Sequence, residues 1–244
     1  MKLNLAIDQG NTFTKVSIFD GLQLIHSYRY SDFQPVILQR LFNEYEIDRA
    51  ICSSVLANSP EIENLMAENL KDFIILSNTT PMPMTIDYAT PTTLGHDRIA
   101  AAVGALGEMP GKNILIIDAG TAVTLDTVTE DGHFTGGNIT PGLKIRFESL
   151  HNYTDKLPLI NTDGDIPLIG YDTATAIRAG VVNGLIAEIE GYIRRISEKF
   201  NDLTVFMTGG DTPFLAKRIK SPIFDDENLL MKGLNGILLY NAQR

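Results

Sequence analysis

Two stretches of this sequence set a carboxylate, a glycine and hydroxyl side chains at the end of a short apolar run. The first is Ile7-Asp8-Gln9-Gly10-Asn11-Thr12-Phe13-Thr14-Lys15, the second Ile117-Asp118-Ala119-Gly120-Thr121-Ala122-Val123-Thr124-Leu125. Each continues as an alternating segment and reaches an acidic-Gly turn, Asp20-Gly21 and Asp131-Gly132. In the first, Gly10 lets the backbone approach a ligand with no Cβ in the way. Successive turn N–H groups form an anion nest, and Asn11 and Thr12 add donors. Asp8 suits a hydrated Mg²⁺ on phosphate oxygens, and Lys15 a phosphate oxygen. In the second, the Asp118 carboxylate needs a cation or a donor, because a strand-end charge left unpaired is costly. Two such hairpins facing each other make a clamp for nucleotide phosphates. The bland alternative is a tight hairpin with Asp8 capping its turn and Lys15 solvated. A Walker A loop is excluded, since its Gly-x-x-x-x-Gly-Lys-Ser/Thr spacing is missing.

Three further clusters carry polar chemistry. Gly95-His96-Asp97-Arg98 lies where a Thr/Pro-rich stretch enters a helix. Asp97 reads either as a helix cap or as a general base within reach of a substrate hydroxyl. Arg98 suits a substrate carboxylate, and His96 reads most simply as a neighbour. Gly136 to Gly142 (Gly-Gly-Asn-Ile-Thr-Pro-Gly) is either a structural turn or a ligand loop. Thr208-Gly209-Gly210-Asp211 follows a strand, where paired glycines admit a base or ribose. Thr173 opens a helix, as a cap or as a hydroxyl contact.

The elements that must position these groups follow from periodicity. Strands are expected at 3–7, 15–19, 24–30, 49–55 and 73–76, with helices at 35–44 and 60–70, the latter capped by Ser59. Residues 77–93 read as a loop, then a helix over 97–109. Pro110-Gly111-Lys112 marks a boundary. The second half repeats the plan: strands at 114–117, 123–128, 136–139 and 203–207, helices at 143–150, 173–200 and 226–240, with a break or join near Gly191. This β-β-β-α-β-α-β order, used twice, implies duplicated α/β domains with mixed sheets.

The chain of 244 residues carries a net charge of −10, which argues against nonspecific binding to DNA or to anionic membrane. It leaves room for a nucleotide site built on backbone N–H groups. Cys52 is the single cysteine, so an intrachain disulfide and a cysteine zinc cluster are both ruled out. No apolar run approaches the roughly 20 residues of a membrane span, and Asp8 interrupts the apolar start, unlike a secretory leader. A cytoplasmic protein is expected.

The ordered set of motifs resembles the type III pantothenate kinases, of the acetate and sugar kinase, heat-shock chaperone and actin superfamily. The matching stretches are Asp8–Thr12, Tyr88–Arg98, Asp118–Ala122, Gly136–Gly142, Lys156–Pro158 and Asp172–Gly180. Gln9, Thr90 and Asp155 depart from the usual pattern without removing a proposed catalytic group. The resemblance implies two tandem ribonuclease H-like domains, 1–112 and 113–244, with mixed five-stranded sheets and a nucleotide cleft between them. It implies ATP-dependent phosphorylation of pantothenate to 4'-phosphopantothenate, the first step of coenzyme A biosynthesis. Asp97 would take the proton of the primary hydroxyl. Tyr88, Gly95, His96, Asp97, Arg98 and Thr173 would line the pantothenate pocket. Asp8, Gln9, Gly10, Asn11, Thr12, Phe13, Thr14 and Lys15, with Thr121, would hold ATP and its Mg²⁺. Asp118 would coordinate K⁺ or NH₄⁺, and a homodimer is expected.

The main rival is a non-catalytic, ATP-binding transcriptional accessory factor of the same fold. Such a factor is expected to have lost Asp97 or Asp118, and both are present. Sugar or acetate kinases and polyphosphate phosphatases lack the Gly-His-Asp-Arg and Gly-Gly-Asn-Ile-Thr-Pro-Gly pair in this order. An actin-like filament protein would polymerise with ATP.

Overall fold

The computed structural model describes residues 2–10, 12–54 and 60–243. Asn11, the strand end at Val55 and the Ser59 cap therefore lie outside the described residues. The chain divides into two compact units, one of residues 1–110, 132–134 and 228–244, the other of residues 111–131 and 135–227.

In the first unit, β1 (Leu3–Gln9) and β2 (Thr14–Asp20) form an antiparallel hairpin. Its residues Leu5, Ala6, Ile7, Val16, Ile18 and Phe19 are wholly buried. Three consecutive buried residues mean that both faces of β1 are covered, as in a central strand. β3 (Gln23–Tyr30) pairs antiparallel with β2. Helix α1 (Pro35–Glu44) leads to β4 (Ile47–Ser54), parallel to β1. Helix α2 (Pro60–Asn69) leads to β5 (Asp72–Ile75), parallel to β4. Parallel neighbours cannot share a tight turn, so helical crossovers join them. Both helices begin on proline, whose missing N–H is an orphan there anyway. The sheet order is β3-β2-β1-β4-β5.

The stretch 77–93, expected as loop, holds a two-residue strand β6 (Thr85–Ile86) and a 3₁₀ turn at Pro91–Thr93. Helix α3 (His96–Glu108) follows.

The second unit repeats the first strand for strand. β7 (Asn113–Ala119) and β8 (Ala122–Val128) are its antiparallel hairpin, followed by β9 (His133–Pro141). Helices α4 (Leu143–Asn152) and α5 (Thr173–Lys199) come next. Then β10 (Leu203–Thr208), the one-turn helix α6 (Thr212–Leu215) and β11 (Phe224–Asp225) complete the unit. β10 runs parallel to both β7 and β11. The order β11-β10-β7-β8-β9 is that of the first sheet. The second sheet has six strands rather than the expected five. β6 adds to the start of β9 through Thr85–His133 and Ile86–Phe134, and residues 132–134 belong to the first unit.

Helix α5 is continuous through Gly191, where a break or join was expected. A capping box closes its start, with Asp172 accepting from the Thr175 N–H. Val182, Leu185, Ile189 and Ile193 repeat at three- and four-residue spacing and bury against Leu115, Ile117 and Leu125. That packing outweighs the roughly 1 kcal/mol helix cost of one glycine.

The last helix, α7 (Leu229–Ala242), lies in the first unit against α3. The two backbones approach so closely that a Cβ on Gly233 would sit 2.6 Å from the Ala100 carbonyl carbon. One on Gly104 would overlap the Leu229 carbonyl oxygen. Glycine at both positions permits this contact. Among the described residues no helix is long and apolar enough to cross a membrane.

Candidate functional site

The two hairpins hold their carboxylates at equivalent positions. Asp8 is the penultimate residue of β1, opposite Lys15 of β2 and beside Ser53 of β4. Asp118 is the penultimate residue of β7, opposite Thr124 of β8 and beside Thr208 of β10. Residues directly opposite on antiparallel strands have Cβ atoms about 4.5–5.5 Å apart, so Lys15 is within reach of whatever Asp8 holds. The first tip spans four residues and is closed by the Gly10 N–H donating to the Phe13 carbonyl at 3.1 Å. The second spans two, Gly120 and Thr121, closed by the Gly120 N–H donating to the Ala122 carbonyl at 3.0 Å.

Alternation along the first hairpin divides its residues. Gln9 and Thr14 are buried, so they offer a ligand little beyond their backbone. Thr12 and Phe13 are exposed, and the Arg29 guanidinium stacks 3.8 Å from the Phe13 ring centroid. Asn11 is outside the described residues. Thr121 is exposed at the second tip.

Glycines shape the surroundings of Asp118. Gly209 has φ +96°, and a Cβ there would overlap both Asp118 Oδ1 and the Ala119 carbonyl oxygen. Gly142 packs on the hairpin tip, where a Cβ would lie 2.6 Å from the Thr121 oxygen. The Gly142 N–H donates to that oxygen at 3.0 Å, and the Asp211 N–H donates to the Ala119 oxygen at 2.9 Å. A carboxylate oxygen and a carbonyl oxygen thus share a cradle that any side chain at 209 would fill. Oxygen donors of this kind suit hard cations, so the residues fit a K⁺ or NH₄⁺ ion. The Gly136–Gly142 stretch is not a turn as a whole: Gly136 to Pro141 are strand, and Gly142 is the N-cap of α4.

The first unit also gathers Tyr88, Gly95, His96, Asp97 and Arg98. Gly95, not Asp97, is the N-cap residue of α3. Asp97 is exposed in the first turn, and its Oδ1 accepts the Arg98 N–H at 2.8 Å. A Cβ on Gly95 would overlap that oxygen, so glycine is needed for the carboxylate to fold back. His96 Nε2 lies 3.1 Å from Asn78 Oδ1, and Asn78 Nδ2 donates to the Thr92 carbonyl at 3.0 Å. This pins the Thr/Pro-rich stretch to the start of α3. Arg98 is only 6% exposed. Its guanidinium carbon lies 5.6 Å from the Tyr88 ring centroid and 5.8 Å from that of Phe134. The two rings meet edge to face at 6.2 Å, a favourable geometry for both the rings and the cation. Thr173 lies in the second unit, exposed at the first position of α5, where Asp172 does the capping.

Three participants were missed in the sequence. Phe134 is wholly buried and lies across a two-residue bridge that leaves no periodicity to read. Asp87 and His133 staple the same bridge, Oδ2 to Nδ1 at 2.7 Å. In the second unit a cavity of about 710 Å³ is lined by Leu143, Phe147, Phe214, Lys144, Arg178 and Asp211, among others. Burial pushes the Asp211 carboxyl above its ordinary value. Arg178 is a buried fastener, donating through Nε to the Asn161 carbonyl at 3.0 Å and through Nη1 to that of Asp165 at 3.2 Å.

Comparison with known proteins bears on this arrangement. A family model described as type III pantothenate kinase matches residues 4–195. The type III pantothenate kinase of Phocaeicola vulgatus is 44% identical over 98% of this chain and 99% of its own length. That of Azobacteroides pseudotrichonymphae is 43% identical over 98% of this chain and 97% of its own. Among solved structures, a Baf-family protein from Campylobacter jejuni aligns with a TM-score of 0.62 at 23% identity, covering 98% of this chain and all of that one. A glucokinase from an Antarctic psychrotroph aligns at 0.56 and 10% identity, over 98% and 99%. These two likenesses show the duplicated ribonuclease H-like fold.

Proposed function

The chain belongs to the type III pantothenate kinase family, and from that premise we propose that it transfers the γ-phosphoryl group of ATP to pantothenate. The products are ADP and 4'-phosphopantothenate, in the first step of coenzyme A biosynthesis. Near-full-length similarity to pantothenate kinases at 44% identity carries this reading. The roles of individual residues rest on the motifs and on the positions described above.

Phosphoryl transfer depends on positioning and charge stabilisation more than on covalent chemistry. On the first hairpin, Gly10, Thr12 and Lys15 meet the phosphates, with Asp8 orienting the Mg²⁺ that ATP brings. Gln9 and Thr14, being buried, contribute backbone only, and the second motif assigns Thr121 to ATP as well. The Asp118 carboxylate and the Ala119 carbonyl oxygen would hold K⁺ or NH₄⁺, which would supply positive charge for the bound nucleotide. Asp97 accepts the proton of the pantothenate hydroxyl as its oxygen attacks the γ-phosphorus and ADP leaves. Tyr88, Gly95, His96 and Arg98 shape the pantothenate pocket, and the motif at the start of α5 assigns Thr173 to the same substrate. Arg98, set under two aromatic rings, presents its charge to the acceptor's carboxylate from a fixed position. The cavity beside Gly209–Asp211 takes the nucleoside, with Phe147 and Phe214 as apolar surfaces.

A cytoplasmic homodimer completes the reading. Leu159, Leu168, Ile169 and Tyr171 stand exposed along one irregular segment of the second unit, and apolar exposure of this kind marks association surfaces. Light scattering is expected to give twice the chain mass. An acceptor panel tests the activity. With ATP, Mg²⁺ and K⁺, pantothenate should gain one phosphoryl group by mass spectrometry while glucose and acetate do not. A sugar or acetate product in place of phosphopantothenate would overturn the assignment.

A further inference from the structure

The tip of the second hairpin is too short to fix itself. Gly120 and Thr121 form a two-residue turn with one internal bond. Gly142 fixes it from outside, packed on the tip and donating to the Thr121 carbonyl at 3.0 Å. The two residues before Gly142 are in turn held by a side chain of α4. Arg146, one turn into α4, donates through Nε to the Pro141 carbonyl at 2.7 Å and through Nη2 to Thr140 Oγ1 at 2.8 Å. The same Nη2 meets Glu188 Oε2 of α5 at 2.6 Å. Both partners are largely buried, with 21% and 27% of their side chains exposed. A guanidinium is suited to this work because its planar fork meets several acceptors at once, which an ammonium cannot match. Glu188 sits midway along the 27-residue helix α5, which is bound into the core on either side of it through Leu185 and Ile189.

We infer that Arg146 and Glu188 are positioning residues for the nucleotide: they anchor the Thr140–Gly142 segment to α5 and through it hold the Gly120–Thr121 tip where ATP is bound. Neither residue touches substrate in this account. The inference rests on reading that tip as a phosphate hairpin. It adds two residues to which no role in the reaction has been given.

Arg146→Ala, Glu188→Ala and Glu188→Gln test it. Three readouts are needed: KM for each substrate, affinity for a non-hydrolysable ATP analogue, and amide hydrogen exchange across residues 118–123. Arg146→Ala is expected to raise KM for ATP and weaken the analogue about tenfold, since sub-ångström displacement of a positioned group costs this much. KM for pantothenate should stay within about twofold, and the tip amides should exchange faster. Glu188→Ala should follow in the same direction. Glu188→Gln keeps an acceptor for the guanidinium and should restore most of the loss. Should Arg146→Ala fail to fold, the two Glu188 variants decide alone. Unchanged analogue affinity and tip exchange would overturn the inference. So would equal losses for both substrates, which general loosening produces. Exchange and analogue binding need no turnover, so a wild-type chain inactive on pantothenate would sink the proposed function while leaving this test intact.

Discussion

Replacing Gly209 by alanine probes the cradle around Asp118 with a single methyl group. Two costs can be read from the structure. The first is conformational: φ is +96°, a region where a non-glycine residue pays about 1–3 kcal/mol. The second is steric. The new Cβ would lie 2.6 Å from the Ala119 carbonyl carbon and overlap Asp118 Oδ1, where real Cβ atoms keep at least 3.0 Å. The neighbours here are backbone and a short carboxylate at a strand end, so β7, β10 or both must move by some tenths of an ångström. The conformational cost alone, about 1–3 kcal/mol, leaves a domain of about 5–15 kcal/mol folded, with Tm lower by about 2–4 °C per kcal/mol. Since about 1 Å of misplacement costs on the order of 10²-fold in rate, kcat/KM for ATP should fall roughly 10- to 100-fold. Cation activation should weaken with it. Gly184→Ala, on the exposed face of α5, is the control, because a Cβ there meets nothing within 4 Å. Steady-state kinetics over ATP and K⁺ concentrations, beside thermal melts, read both. Wild-type kcat/KM and K⁺ response in Gly209→Ala would refute the placement of the cation and phosphates beside Asp118.

Asp97→Asn should lower kcat by about 10²–10⁴, the range for losing a general base; an unchanged rate would remove Asp97 from that role. Asp118→Ala should blunt activation by K⁺, and full K⁺ dependence in that variant would count against the cation site. Burial, with the Asp8 charge second, pushes the Cys52 thiol up to about 12, so native protein at pH 8 should resist iodoacetamide and react only on unfolding. Burial raises the Asp211 carboxyl in the folded state, so the folded state binds its proton more tightly than the unfolded one. The destabilisation from its charge is absent below the ordinary value of 3.8 and complete above the raised value. Asp211→Asn should therefore raise Tm at pH 7, with the difference from wild type vanishing at acidic pH; a difference independent of pH would contradict this.

The hairpins were legible because their signals are local. Strand alternation, an aspartate at the strand end and a glycine two residues later survive in any tertiary context, and the structure reproduces both copies in register. Helix α1 was likewise bounded by its own residues, from Pro35 to Glu44. What escaped depends on partners distant in sequence. The β6–β9 bridge is two residues long, too short for a period of 2 to show. The approach of α3 and α7 needs Gly104 and Gly233 together, and a lone glycine in a helix reads as a weakness. The same holds for Gly191, which the burial of Val182, Leu185 and Ile189 carries through without a break. Arg98 could be named from its motif, but its burial under Tyr88 and Phe134 could not, since Phe134 arrives from another strand. Arg146 leaves no local signal, because it holds a loop through partners on α5, and nothing in its neighbours' spacing announces that.

The most direct measurement follows ADP release from ATP and Mg²⁺, with and without pantothenate, first in K⁺ and then in Na⁺. Turnover is expected to require pantothenate, to be strong in K⁺ and to fall away in Na⁺. ATP binding with no pantothenate-dependent ADP release in either buffer would contradict it and favour a nucleotide-binding regulator of the same fold.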